Sequence, residues 1–128
     1  SMLAGLAFSN TRTTACHSIS YPLTMQCHIP HGVAVSLLMG PVLELNLPAV
    51  EDVDALLDAF GVNEPYQVRE RITAILEAAG HPVRLTQWGA SEEMLPELVA
   101  HSITKGRADN NPVELTETVV YNILKSIL

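Results

Sequence analysis

Charge is scarce in this sequence. Charged side chains make up 16% of the 128 residues, against roughly 25% in an average soluble domain. Acids outnumber bases 14 to 7, for a net charge of −7. The bases form no cluster, since Arg69, Arg71 and Arg84 are scattered among acids. A balance of that sign argues against nucleic acid and against an anionic membrane surface as partners. Cysteine is sparser still, with two residues. Cys16 and Cys27 are too few for a disulfide scaffold and too far apart for a Cys-x2-4-Cys zinc knuckle. Both read as reduced thiols of a cytoplasmic protein. No Gly-x-Gly-x-x-Gly follows a strand, no Walker loop is present, and no serine sits in the elbow of a Ser-His-Asp set. The parts that bind a dinucleotide are therefore missing. Met2 to Phe8 is apolar, but no positively charged stretch precedes it and Arg12 interrupts it, so no signal peptide is expected.

Apolar residues, by contrast, reach 48%. The length suits a single domain, residues 1–128, that buries roughly two-thirds of its unfolded surface. High apolar content with little charge implies a surface that belongs partly against something else. An absent upstream domain or a sister subunit in a homo-oligomer would serve; a sticky but self-contained bundle is the plainer alternative.

The richest stretch is Ala15 to Gly32. It holds both cysteines and three of the five histidines, inside an uncharged run from Thr13 to Leu43. That run is long enough to span a bilayer, yet its three histidines, three prolines and Gln26 argue against a membrane helix. Imidazoles in an apolar neighbourhood suggest a site shielded from water, and neutral imidazole is the commonest protein metal ligand. Core or cap histidines bonded to backbone carbonyls are the ordinary explanation for any one of them. For His17 and His31 together, chain geometry favours a shared site. On one unbroken helix they would stand about 21 Å apart. Pro30, however, removes a backbone donor and pushes Ile29 out of helical conformation. A loop around Gln26 to Pro30 would let His31, at the start of the next helix, fold back towards His17. Tyr21, four residues after His17, shares its helix face. The pairs Cys16-His17 and Cys27-His28 offer another reading, a free-standing zinc-binding bundle.

Periodicity along the rest is helical, with no strand alternation of useful length. Leu3 to Phe8 is a short helical piece, followed by a cap-rich break at Ser9-Asn10-Thr11. A helix from Arg12 to Met25 carries His17 and is kinked by Pro22. His31 to Asn46 is apolar nearly all round, as in a central buried helix, and is bent or split by Pro41. Glu51 to Phe60 points Val53, Leu56, Leu57 and Phe60 inward and ends at Gly61. Asn63-Glu64-Pro65 opens a helix whose inward face is Val68, Ile72, Ile75, Leu76 and Ala79. His81-Pro82 is a surface turn, and Val83 to Gly89 is irregular. Ser91 caps a helix carrying Met94, Leu95, Leu98, Val99 and Ile103, on which His101 is structural or exposed. Lys105 to Pro112 is a polar loop. Thr116 starts a last helix with Val119, Val120, Ile123, Leu124 and Ile127 inward. The expected fold is all-α, a bundle of about six helices.

The pattern His-x3-Tyr-Pro-Leu-x5-Ile-Pro-His-Gly, from His17 to Gly32, resembles the metal-binding segment of the iron-containing (group III) alcohol dehydrogenases. The flanks from Ala4 to Thr11 and from Pro41 to Asn46 are similar as well. The resemblance implies the C-terminal helical domain of such an enzyme, with His17 and His31 as two metal ligands. The family's other two ligands, an Asp and a His, lie upstream, in a region absent from this chain. It further implies ferrous iron or zinc as the metal, NAD or NADP bound mainly by the missing N-terminal domain, and an alcohol or aldehyde as substrate. Where the family often has a second histidine, this chain has Tyr21. That side chain would line the substrate pocket and donate a hydrogen bond rather than relay protons, because its unperturbed pKa is about 10. The fragment by itself is expected to be inactive. A non-catalytic helical interaction module is the alternative from another functional class.

Overall fold

The computed structural model describes Met2, Leu3, Leu6 and residues 13–128. The expected break at Ser9-Asn10-Thr11 and most of the first helical piece lie outside these residues. Among the described residues there is no strand, and six α-helices carry the fold: α1 Ala15–Cys27, α2 His31–Asn46, α3 Val53–Phe60, α4 Pro65–Ala78, α5 Leu95–Ser102 and α6 Glu117–Ser126. The all-α reading holds. Helix α1 packs against α2 and α5, α2 against α4 and α6, α5 against α6, and α3 against α4.

Neither internal proline breaks its helix. Pro22 lies inside α1 and Pro41 inside α2, and both helices run through. Each proline costs one backbone bond, but both are buried, and burial of the flanking apolar residues offsets that loss. Helix α2 is less enclosed than its apolarity suggests. The residues from Val33 to Val42 that face α1, α4 and α6 are buried, while His31, Gly32 and Glu44 are exposed.

The core is one continuous cluster. Ile19 and Leu23 from α1, Leu38 from α2, Leu95 and Leu98 from α5, and Val120 and Leu124 from α6 are fully buried. Each such side chain is worth about 1.5–3 kcal/mol when taken out of water. Leu85 belongs to the same cluster, although it falls in the stretch read as irregular. A short 3-10 turn, Leu85–Trp88, inserts it, and its N–H donates to the Ile127 carbonyl at 2.9 Å. Three residues expected to face inward are instead exposed: Ile75 at 60%, Ile103 at 39%, and Ala79. All three lie on helix ends or faces that no other described element covers.

Caps set several boundaries. Asp52 accepts from the Ala55 N–H at 2.9 Å and Thr116 from the Val119 N–H at 3.3 Å, satisfying N–H groups that the first turn leaves free. The Gln67 side chain reaches back to the Asn63 and Glu64 N–H groups at 2.9 and 3.0 Å. Ser91, expected to cap α5, makes no side-chain cap bond; a 3-10 turn, Glu92–Met94, leads into α5 instead.

The polar loop after α5 is pinned from two sides. Ser18, fully buried on α1, donates its hydroxyl to the Ser102 carbonyl and accepts from the Thr104 N–H at 3.4 Å. At the far end, Asn46 and Asn111 exchange side-chain amide bonds of 2.9 and 2.8 Å. These anchors hold the intervening residues over α1.

Candidate metal centre

The corner between α1 and α2 is built from three residues. His28 ends α1 in the left-handed conformation, at φ 55° and ψ 26°. Ile29 is fully buried and fastens the turn to the core. Pro30, extended at ψ 135°, occupies the N-cap position of α2 and accepts from the Ala34 N–H at 2.9 Å. The chain thereby reverses, and His31 starts the second helix facing the middle of the first.

The consequence is a close pair of imidazoles. The ring centroids of His17 and His31 are 5.3 Å apart, with ring planes inclined at 60°. An ion bound at about 2.0–2.1 Å by one nitrogen of each ring, with tetrahedral angles, would hold the two centroids roughly 5 Å apart. The donor set therefore fits two positions of such an ion. Among the described residues no third His, Cys, Asp or Glu joins them.

The protonation of His17 suits ligation. Burial, then the nearby His31, then Arg107 hold the His17 imidazole below the usual histidine range, so the neutral form predominates at neutral pH. Ser20, fully buried, donates its hydroxyl to the His17 carbonyl at 3.0 Å. Its remaining lone pairs lie 3.5 Å from His31 Nδ1, at the outer limit of a hydrogen bond. A proton on that Nδ1 leaves Nε2 free to act as a ligand, the arrangement that orienting partners of metal-bound histidines usually produce.

Tyr21 stands beside the pair. Its ring meets that of His31 edge-on at 6.4 Å between centroids, and the residue is 48% exposed. A cavity of about 330 Å³ opens here, lined by His17, Tyr21 and His31 together with Thr13, Thr24, Met25 and Arg107. The Thr24 hydroxyl oxygen is buried and has no partner among the described residues. A polar atom left so usually marks a place that a ligand or water completes. A second, contiguous hollow on the other side of Tyr21 reaches His101 and Thr104.

Arg107 escaped the sequence reading, which treated its segment as a polar loop. The guanidinium carbon sits 4.4 Å from the centroid of the Tyr21 ring, well within cation–π range. No local signal announced it, because its position depends on the long-range tie through Ser18. Ser20 and Thr24 were passed over for a simpler reason: a serine or threonine on a helix is usually unremarkable.

The four-ligand Cys-His zinc bundle does not assemble. Cys16 and Cys27 are eleven positions apart on the same helix, about 16 Å at 1.5 Å per residue. Burial pushes the Cys16 thiol up to about 11 and the Cys27 thiol in the same direction, so neither favours the thiolate that binds metal. His28 is exposed at the corner. His81, expected on the surface, is half-buried, and His101 is exposed.

Comparison with known proteins agrees with this architecture. The profile of the Fe-containing alcohol dehydrogenase family, C-terminal, matches residues 1–128. The phosphonoacetaldehyde reductase of Streptomyces viridochromogenes is 30% identical over 125 residues, covering 88% of this chain and 31% of that protein. Alcohol dehydrogenase 4 of Saccharomyces cerevisiae is 27% identical, covering 96% of this chain and 34% of its own length. Among solved structures, an alcohol dehydrogenase from Oenococcus oeni superposes with a TM-score of 0.78 at 26% identity, over 99% of this chain and 36% of that one. The chain thus spans about a third of the length of the relatives it matches. Helical fold, corner motif and full-length profile match agree: the chain belongs to the iron-containing alcohol dehydrogenase family and corresponds to its C-terminal part.

Proposed function

We propose that this chain acts as the C-terminal portion of a metal-dependent, NAD(P)-linked alcohol dehydrogenase or aldehyde reductase. His17 and His31 supply two ligands to a divalent ion, ferrous iron or zinc. An upstream nucleotide-binding domain supplies the remaining ligands and most of the cofactor contacts. The observation that carries this reading is the 5.3 Å approach of two imidazoles fourteen residues apart, in a chain of this family. Alone the chain is inactive, because it holds half of a four-ligand site and no dinucleotide fold. The sparse cysteines suit a reducing compartment such as the cytoplasm.

When bound, such an ion supplies Lewis-acid stabilisation of negative charge on the substrate oxygen, which eases hydride transfer. The chain's own residues do the rest. Ser20 keeps His31 in one tautomer. Met25 and Thr24 border the cavity beside them. Tyr21 borders the cavity with its hydroxyl available to donate to a substrate oxygen.

The test is His17→Ala and His31→Ala in the full-length protein. The expected result is loss of aldehyde reduction and of bound metal, by elemental analysis, with an unchanged far-ultraviolet circular dichroism spectrum. Full activity in both variants would favour a non-catalytic helical module instead.

A further inference from the structure

We propose that Arg107 recognises an anionic group, a phosphonate, sulfonate or carboxylate, at the far end of a short aldehyde or alcohol whose oxygen reacts beside His17 and His31. This assignment rests on the oxidoreductase reading above and deepens it by naming the substrate class.

The argument begins with a cation that lacks an anion. Lys125 with Glu92 is the one ion pair among the described residues. Arg107 is half-buried in a chain with twice as many acids as bases, yet its guanidinium has no carboxylate within 4 Å and no hydrogen-bond acceptor among those residues. The nearest acid in sequence, Asp109, is otherwise engaged: its carboxylate accepts from the Gly106 N–H at 2.9 Å. The Tyr21 ring offsets part of the cost of removing the guanidinium from water. It leaves the five N–H donors, a planar fork that matches carboxylate and phosphate oxygens, without partners.

The surroundings narrow the ligand. No acid lines the cavity that Arg107 shares with the histidines, so no carboxylate there competes for the guanidinium. At about 330 Å³ it is at the small end of ligand sites. The Tyr21 ring contacts both Arg107 and His31. With the guanidinium carbon 4.4 Å and the His31 ring 6.4 Å from the Tyr21 centroid, the fork and the reacting end are no farther apart than the sum of those distances, which suits a short-chain substrate. Finally, the arginine is held in place. Its N–H donates to the Thr104 carbonyl at 3.1 Å, and the Thr104 N–H is fixed to Ser18. With its backbone fixed and its guanidinium seated on the Tyr21 ring, the fork loses less freedom on binding.

The same fork could meet the pyrophosphate of a nicotinamide cofactor, and the experiment separates the two. In the 128-residue chain, methylphosphonate is titrated while the Arg107 Nε–H and Tyr21 ring resonances are followed by NMR. Saturable shifts are expected, absent in Arg107→Met and weakened in Arg107→Lys. In the full-length enzyme, kcat/KM is compared for an aldehyde with a terminal phosphonate, sulfonate or carboxylate and a neutral aldehyde of equal length. The anionic substrate should be preferred by about 10²-fold. That ratio should collapse in Arg107→Met and recover in part in Arg107→Lys, while KM for the cofactor stays put. An absent preference, a preference that survives in Arg107→Met, or an effect confined to the cofactor KM would overturn the proposal. Turnover of neither aldehyde would overturn the enzyme reading, and the substrate assignment with it. Arg107-dependent anion binding in the isolated chain would then identify the failure as one of reaction rather than of recognition.

Discussion

Ser18 on α1 donates its hydroxyl to the carbonyl of Ser102, eighty-four residues later at the end of α5. The same oxygen accepts from the Thr104 N–H. One buried side chain thus ends one helix and fixes the start of the loop that carries Arg107. Ser18→Ala would leave a buried carbonyl and an N–H without partners, at a cost of about 1–3 kcal/mol. Urea unfolding should show that loss, and the Tyr21 ring-current effect on Arg107 should weaken with it. An unchanged unfolding midpoint would mean that the loop is held by its other anchors alone.

Gly40 and Gly32 lie on the same helix and should respond oppositely to alanine. A Cβ at Gly40 would come within 2.9 Å of the Arg69 Cβ and 3.2 Å of its Cα. A backbone atom cannot swing away, so α2 and α4 must separate, costing about 1–3 kcal/mol. The better helix propensity of alanine returns at most about 1 kcal/mol. Gly40→Ala is therefore expected to destabilise. A Cβ at Gly32 meets nothing within 4 Å, so Gly32→Ala should be neutral or gain up to about 1 kcal/mol. Paired denaturant midpoints check both signs.

His28 is the one described non-glycine residue with positive φ. The left-handed conformation costs an ordinary L-residue about 1–2 kcal/mol. Glycine removes that cost but loses about 0.5–1 kcal/mol to greater freedom in the unfolded chain. His28→Gly should thus be neutral to stabilising by about 1 kcal/mol. His28→Val, with a branched Cβ, should destabilise by a similar or larger amount. Thermal unfolding of the two variants gives the comparison. A stabilising valine would show that the corner can adopt another backbone path.

These residues also mark how far the chain can be read without coordinates. The corner was legible because its causes are local: a proline at position 30, a helix face shared by His17 and Tyr21, and a spacing that matches a known family. The helices were legible by their periodicity and caps. Exposure was not. Ile75 and Ile103 repeat at helical spacing like their buried neighbours, but periodicity identifies a face without saying whether anything covers it. Arg107 was invisible for a related reason. Nothing within its own loop points towards Tyr21, and the bond that brings it there joins residues from opposite ends of the sequence.

Metal affinity tests the division of labour between this chain and the rest of the enzyme. A complete structural zinc site contributes about 10–16 kcal/mol from four ligands. Two imidazoles with no third donor among the described residues should deliver about half of that, a Kd on the order of 10⁻⁴ to 10⁻⁶ M. Calorimetric titration of the 128-residue chain with Zn²⁺ should fall in that range. Binding should disappear in His17→Ala and in His31→Ala alike, since one imidazole cannot chelate. Loss in only one variant would mean that the two rings do not share an ion. A nanomolar site would mean that the chain brings further ligands of its own, and that an upstream domain is not needed to complete the metal centre.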